Sequence, residues 1–242
     1  GTVHLDIEGP IATITNDNPT KHNAFDDDMD AQLFAALAEL KSRKDVRAII
    51  WRGEGPSWSS GRDVGSIGTN KTELPHHELM TRGHAGIQQI WEIDAPIIVP
   101  IQGWALGGSF QRALLCDIRI CTPDAKFMLP EVGHGVIPDT GGVAVLSAMC
   151  GPGLVSDMVL TGRRLSSEEA LYHGIVSRVV DADVLMDTAK EMTPMLQFVS
   201  SWRGTRKTPG AERTPAETSN ASAVTPRGTS GRSMSPTPRH AV

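Results

Sequence analysis

The chain has 242 residues, 39% apolar and 21% charged, enough to bury a substantial core in one large domain or two small ones. Its formal charge of −5 is unevenly spread: residues 1–202 carry 16 Lys/Arg against 26 Asp/Glu, and residues 203–242 carry 7 against 2. An acidic body argues against nucleic-acid binding, which needs clustered Lys/Arg to neutralise phosphates, and no run of 18 apolar residues suggests a transmembrane helix.

The first residues, Gly1 to Asp6, have neither a basic region nor an apolar run, so no signal peptide is expected. Cys116, Cys121 and Cys150 lack the spacing of a disulfide scaffold or a zinc site. They read as small buried apolar residues. The expectation is a reducing, cytoplasmic setting, no metal, no membrane and no nucleic-acid partner.

Leu5–Glu8 and Ile11–Thr15 read as a β-pair turned at Gly9-Pro10. Asp26 to Asp28 supply a helix first turn, and Met29, Leu33, Leu37 and Leu40 continue it at helical spacing. A buried strand at 48–51 follows, then a Gly/Ser-rich loop over 53–72. His76–Ile93 is predicted to be helical, Ile97–Ile101 a strand, and Gly107-Gly108 the start of a helix carrying Phe110, Leu114 and Leu115. Asp117–Cys121 reads as a strand. Ser166 and Glu169 have capping-box spacing, opening a helix that ends near His173-Gly174. Val176–Val180 is a late strand and Ala182–Met192 a last helix. Such alternation implies an α/β fold with a largely parallel sheet.

The final stretch differs in kind. Residues 203–242 contain seven Thr, five Ser, five Pro and four Gly, with no Leu, Ile or Phe. Such a segment buries too little apolar surface to offset its ordering entropy. The expected division is a core over 1–195 and a disordered Pro/Ser/Thr/Arg-rich tail over 196–242.

Two glycine-rich loops follow strands and lead towards helices: Trp58 to Asp63, and Gly103 to Gln111. Two backbone N–H groups facing one point there would stabilise an oxyanion, helped by the helix dipole at Gly108. The same pattern also suits phosphate binding or a simple tight turn. A third segment, Phe127 to Gly142, holds Glu131, His134 and Asp139 among glycines and prolines. A carboxylate on a rigid turn in apolar surroundings is poised as a general acid or base. Equally, Glu131 could cap a turn, Asp139 could cap the following helix, and His134 could simply be exposed. A dinucleotide site is not supported, since Gly103–Gly108 does not form Gly-x-Gly-x-x-Gly. Nor is there a Gly-x-Ser-x-Gly elbow for a serine hydrolase.

These segments occur in the order and roughly at the spacing of the crotonase (enoyl-CoA hydratase/isomerase) superfamily, which residues 3–192 resemble. Lys21-His-Asn-Ala24 resembles its early CoA-contacting loop, Ser60-Gly-Arg-Asp63 its first oxyanion loop and Ala105-Leu-Gly-Gly108 its second. Cys116-Asp-Ile-Arg-Ile, Ala125-Lys-Phe, Pro130-Glu131, Leu160-Thr-Gly, Glu169-Ala and Gly174-Ile-Val continue the likeness.

The resemblance implies a core of ββα turns in a spiral with surrounding helices, and a homotrimer or dimer of trimers if the C-terminus permits. It implies an acyl-CoA substrate, with coenzyme A part of the substrate and no separate cofactor. The thioester oxygen would be held by the amides of Arg62 and Gly108, and the coenzyme near Lys21, Ala24, Ser60, Asp63 and Ile67. Glu131 matches one of two glutamates used by the family's hydratases. The other falls on Gln111, and an amide cannot accept a proton as a carboxylate does. Asp139 matches a catalytic aspartate of the dienoyl-CoA isomerase branch. The function implied is therefore a hydratase-like lyase or an isomerase with Glu131 as acid/base, or else a non-catalytic acyl-CoA binder. The C-terminal helices usual in the family are replaced by the polar tail, and the abrupt change of composition suggests an altered reading frame near residue 196.

Overall fold

The computed structural model describes residues 1–66 and 75–196. Ile67 and the tail from residue 197 lie outside the described residues.

The chain opens with an antiparallel pair, β1 (Thr2–Glu8) and β2 (Ile11–Asp17), turned at Gly9-Pro10. Helix α1 (Asp27–Ser42) follows, capped by Asp26, whose side chain accepts from the Met29 N–H. Its stripe of Met29, Leu33, Leu37 and Leu40 is buried, each side chain worth roughly 1.5–3 kcal/mol relative to exposure. Strand β3 (Ala48–Gly53), α2 (His76–Glu92), β4 (Ile97–Ile101), β5 (Trp104–Leu106), α3 (Gly107–Leu115), β6 (Ile118–Cys121) and β7 (Lys126–Met128) come next. The chain continues through α4 (Gly142–Cys150), α5 (Pro152–Thr161), β8 (Arg164–Ser166), α6 (Ser167–Tyr172), β9 (Arg178–Val179) and α7 (Leu185–Leu196).

Among the described residues the strands form a six-stranded sheet, β1-β2-β3-β4-β6-β9, and a three-stranded sheet, β5-β7-β8. From β2 onward the larger sheet is parallel, which buries both faces. Side-chain alternation sorts its residues accordingly. Ile49, Trp51, Ile97, Val99 and Ile101 join the main core with α1 and α3. Ile50, Ile98 and Ile120 point the other way and pack with Leu185 and Ala189 of α7. The two buried indoles meet edge to face, 5.4 Å between centroids. Trp51 Nε1 donates to Asn16 Oδ1 and Trp58 Nε1 to the Trp51 carbonyl, so neither polar edge is stranded.

Most expected elements form where the pattern placed them. Ser166 and Glu169 make both bonds of the capping box. Three departures are physical. Helix α7 runs on to Leu196 and contains Pro194, where the pattern ended at Met192. The short strands β5, β7 and β8, three residues each, are too brief for periodicity to reveal. Asp139 does not cap α4: its N-cap is Gly141.

One internal cation stands out. The Arg119 side chain is buried and donates to the Ile175, Ala113 and Cys116 carbonyls at 2.6, 3.1 and 2.9 Å. It thereby binds the C-terminal end of α3. No helix among the described residues is long and apolar enough to cross a membrane.

Candidate active site

The two glycine-rich loops lie side by side. Ser59 bridges Ala105 in parallel: its N–H donates to the Trp104 carbonyl and its own carbonyl accepts from Leu106. Gly61 then takes φ +92, and a Cβ there would stand 2.7 Å from the Leu106 carbonyl oxygen. Only glycine allows both the positive φ and that approach. The Ser59 hydroxyl donates to the Asn23 carbonyl, accepts from the Gly61 N–H and lies 2.8 Å from Ser109 Oγ, which stitches the loop to α3.

Arg62 and Gly108 offer backbone donors at this junction. Phe25 N–H bonds the Gly61 carbonyl and Asp63 N–H bonds the Phe25 carbonyl, both at 2.8 Å. Strand alternation leaves the Arg62 N–H facing the other side. Gly108 is the second residue of α3, so its N–H is one of the helix's four orphans, at the positive end of the dipole. A Cβ on Gly108 would meet nothing within 4 Å beyond its chain neighbours and its own helix backbone, so the space on its Cα side is open. The Arg62 side chain is committed elsewhere, to Asp27 and Asp30.

Glu131 opens a 3₁₀ turn, Glu131–His134, and its side chain points inward at 9% exposure rather than capping that turn. Its Oε1 accepts from Gln111 Nε2 at 2.9 Å. Its Oε2 is buried with no hydrogen-bond partner among the described residues. Burial pushes the carboxyl above its ordinary value and the charge of Asp139 adds to that, while its own backbone N–H, Gln111 and His134 oppose it. Gln111 is 1% exposed, and its Oε1 accepts from the Thr140 N–H at 3.1 Å. Gly142 makes room for this: a Cβ there would lie 2.6 Å from Gln111 Cα.

Asp139 is exposed, 3.5 Å from His84 Nε2. It borders a hollow of about 220 Å³ with Ile87, Trp91, Leu115 and Thr140. Thr140 joins that hollow to the Gln111–Glu131 pair. His134 is exposed.

Four of the residues assigned to coenzyme binding cluster at one end. Lys21 Nζ bonds Asp63 Oδ2 at 2.7 Å, and this bond is the main cause of the lowered Asp63 pKa. Ser60 Oγ donates to the Lys21 carbonyl and Ser60 N–H to His22, while Ala24 N–H bonds the Lys21 carbonyl. The structure thus brings Lys21, Ala24, Ser60 and Asp63 together, and Gln111 with Glu131. It sets Asp139 at the rim.

Sequence reasoning missed Thr140, whose contribution is a backbone group. It also missed His84 and Trp91, which share a face of α2 at i, i+7 spacing.

Residues 6–201 match the family model for enoyl-CoA hydratase/isomerase. The chain belongs to that family. It is an enoyl-CoA hydratase-like enzyme, of a family that acts on CoA thioesters. Among its relatives, the carnitinyl-CoA dehydratase of Salmonella enteritidis PT4 is 38% identical over 196 residues, covering 81% of this chain and 74% of that one. Among solved structures, an enoyl-CoA hydratase subunit I of Geobacillus kaustophilus HTA426 is 30% identical with a TM-score of 0.74, covering 81% of this chain and 76% of that one. An enoyl-CoA hydratase of Polaromonas sp. JS666, 24% identical, shares the fold with a TM-score of 0.78 over 88% and 86% of the two chains. The family confirms the crotonase-like α/β reading.

Proposed function

We propose that the enzyme interconverts a 3-hydroxyacyl-CoA and its 2-enoyl-CoA with Glu131 as the one acid/base. The carrying observation is the division of labour within that carboxylate: Oε1 is held by Gln111, while Oε2 is buried and unpartnered among the described residues. Similarity to carnitinyl-CoA dehydratases at 38% identity supports the dehydration chemistry.

In the dehydration direction, Glu131 Oε2 takes the C2 proton. The electron pair moves onto the thioester oxygen, stabilised by the Arg62 and Gly108 amides. The enolate then collapses, the C3–O bond breaks, and the leaving oxygen takes the proton back from Glu131 as water. Hydration is the reverse. Burial, by raising the Glu131 pKa, keeps the protonated form accessible. Gln111 has both Oε1 and one N–H engaged, and its second N–H holds the C3 oxygen. The coenzyme lies against Lys21, Ala24, Ser60 and Asp63. Coenzyme A comes as part of the substrate, and the chemistry uses no other cofactor.

A second reading uses the same residue. Moving a proton from C2 to C4 of a 3-enoyl-CoA requires one carboxylate, and Glu131, hydrogen-bonded to Gln111, is placed to supply it.

Turnover of crotonyl-CoA and of a 3-enoyl-CoA by the protein and by Glu131→Gln tests both. Each loses about 10²–10⁴ in rate if Glu131 is the acid/base. Unchanged turnover in the variant would remove the assignment, and binding with no turnover by the native protein would mark a non-catalytic acyl-CoA binder.

A further inference from the structure

Two arginines of the site converge on one carboxylate outside it. Asp30, in the first turn of α1, accepts from Arg62 Nη1 through Oδ2 at 2.8 Å and from Arg112 Nη2 through Oδ1 at 2.7 Å. Arg62 belongs to the first glycine loop. Arg112 follows Gln111 directly in α3, the helix that carries the Gly108 amide. Phe25 closes the arrangement. The Arg112 guanidinium lies 4.7 Å over its ring, and its backbone bonds Gly61 and Asp63 on either side of Arg62. The Arg112 side chain is only 8% exposed, and its Nε and Nη1 have no hydrogen-bond partner among the described residues. A buried cation of this kind depends strongly on its counter-charge.

We propose that Asp30 is a positioning residue that fixes the spacing of the Arg62 and Gly108 amides, and through it the strength of the oxyanion hole. The inference rests on the reading of those two amides given above. Each donor stands on a different element, and Asp30 bonds both elements through one rigid carboxylate. Donors of this kind act only when held at the position the developing charge will occupy.

The test uses the full chain with two variants. Asp30→Asn keeps the shape but has one acceptor oxygen for two arginines. Arg62→Met removes the tether together with the Arg62–Asp27 pair, and leaves the backbone amide of residue 62 and the Arg112 charge in place. The readouts are kcat and KM for crotonyl-CoA, the thermal midpoint, and the red shift in absorbance of a bound aromatic 2-enoyl-CoA. That shift reports polarisation of the thioester carbonyl and needs binding alone.

Both variants should lose about 10- to 100-fold in kcat, with KM changed less than about threefold and a smaller red shift. The double variant should be no worse than the stronger single one. A native protein that binds without a red shift would overturn the oxyanion reading itself. A native shift retained in full by both variants, with kcat intact and only the thermal midpoint lowered, would overturn the role of Asp30 alone. If Asp30→Asn does not fold, Arg62→Met decides by the same criteria.

Discussion

The Thr140 N–H donates to Gln111 Oε1 at 3.1 Å, and that bond settles which end of the amide meets Glu131. With its oxygen held, Gln111 must turn Nε2 to Glu131, as the 2.9 Å contact shows. The amide is therefore a fixed donor, and the carboxylate it meets is that of Glu131.

Gln111→Glu should convert the pair into two facing carboxylates while the Thr140 N–H still finds an acceptor. Crotonyl-CoA hydration, followed by loss of the conjugated thioester absorbance, should rise by about 10²–10⁴. Its pH–rate profile should gain a second ionisation, because carboxylates this close share a proton. An unchanged rate would mean that a donor at residue 111 already suffices.

Glu131 also links stability to pH. Burial raises its folded-state pKa above 4.5, so between the unfolded and folded values the folded state binds more protons. Its contribution to stability is greatest below 4.5 and falls as pH rises through the folded pKa. Glu131→Gln removes the titration. The thermal midpoint of the variant, relative to native protein, should be higher at pH 7 than at pH 4; a constant difference would contradict the raised pKa.

Gly61→Ala should displace the first loop. The substitution meets both φ +92 and a 2.7 Å approach to the Leu106 carbonyl. The expected cost is roughly 1–3 kcal/mol in stability, with kcat reduced more than KM. Chemical denaturation and steady-state kinetics measure the two effects.

Asp139→Asn separates the two carboxylates. Asp139 is exposed beside His84 and makes no hydrogen bond to Glu131. Hydration of a 2-enoyl-CoA should stay within about tenfold of native, since Asp139 acts there only through its field on Glu131. Parallel assay of a dienoyl-CoA asks whether Asp139 moves a proton itself. Loss of that activity alone would assign it a catalytic role, and parallel retention would exclude one.

Elements with many residues were legible. The α1 stripe and the 97–101 strand rest on apolar spacing, and α6 rests on the capping box of Ser166 and Glu169. The site was legible where a residue type announces its chemistry, as with Glu131 on its Pro/Gly turn. Glycine-rich loops pointed to the Arg62 and Gly108 amides, but nothing in its side chain marks the Thr140 amide as the partner of Gln111. Nor could the convergence on Asp30: its partners Arg62 and Arg112 lie 32 and 82 residues away in sequence, and only the packing of α1 against the loop and α3 brings them within reach. Asp139 read equally well as a cap, and the choice of Gly141 followed from local backbone geometry.

Arg119 gives α3 an unusual electrical character. The helix has nine residues, about 13 Å at 1.5 Å per residue. Its last carbonyls, the negative pole, lie against a buried guanidinium that stays charged although burial lowers its pKa. A free dipole largely cancels its own field at a distance, because the far pole opposes the near one. Neutralising the far pole leaves the amide end acting more like a lone positive charge, whose influence falls off more slowly. An arginine a helix-length away thus strengthens the attraction that α3 exerts on an anion at its mouth.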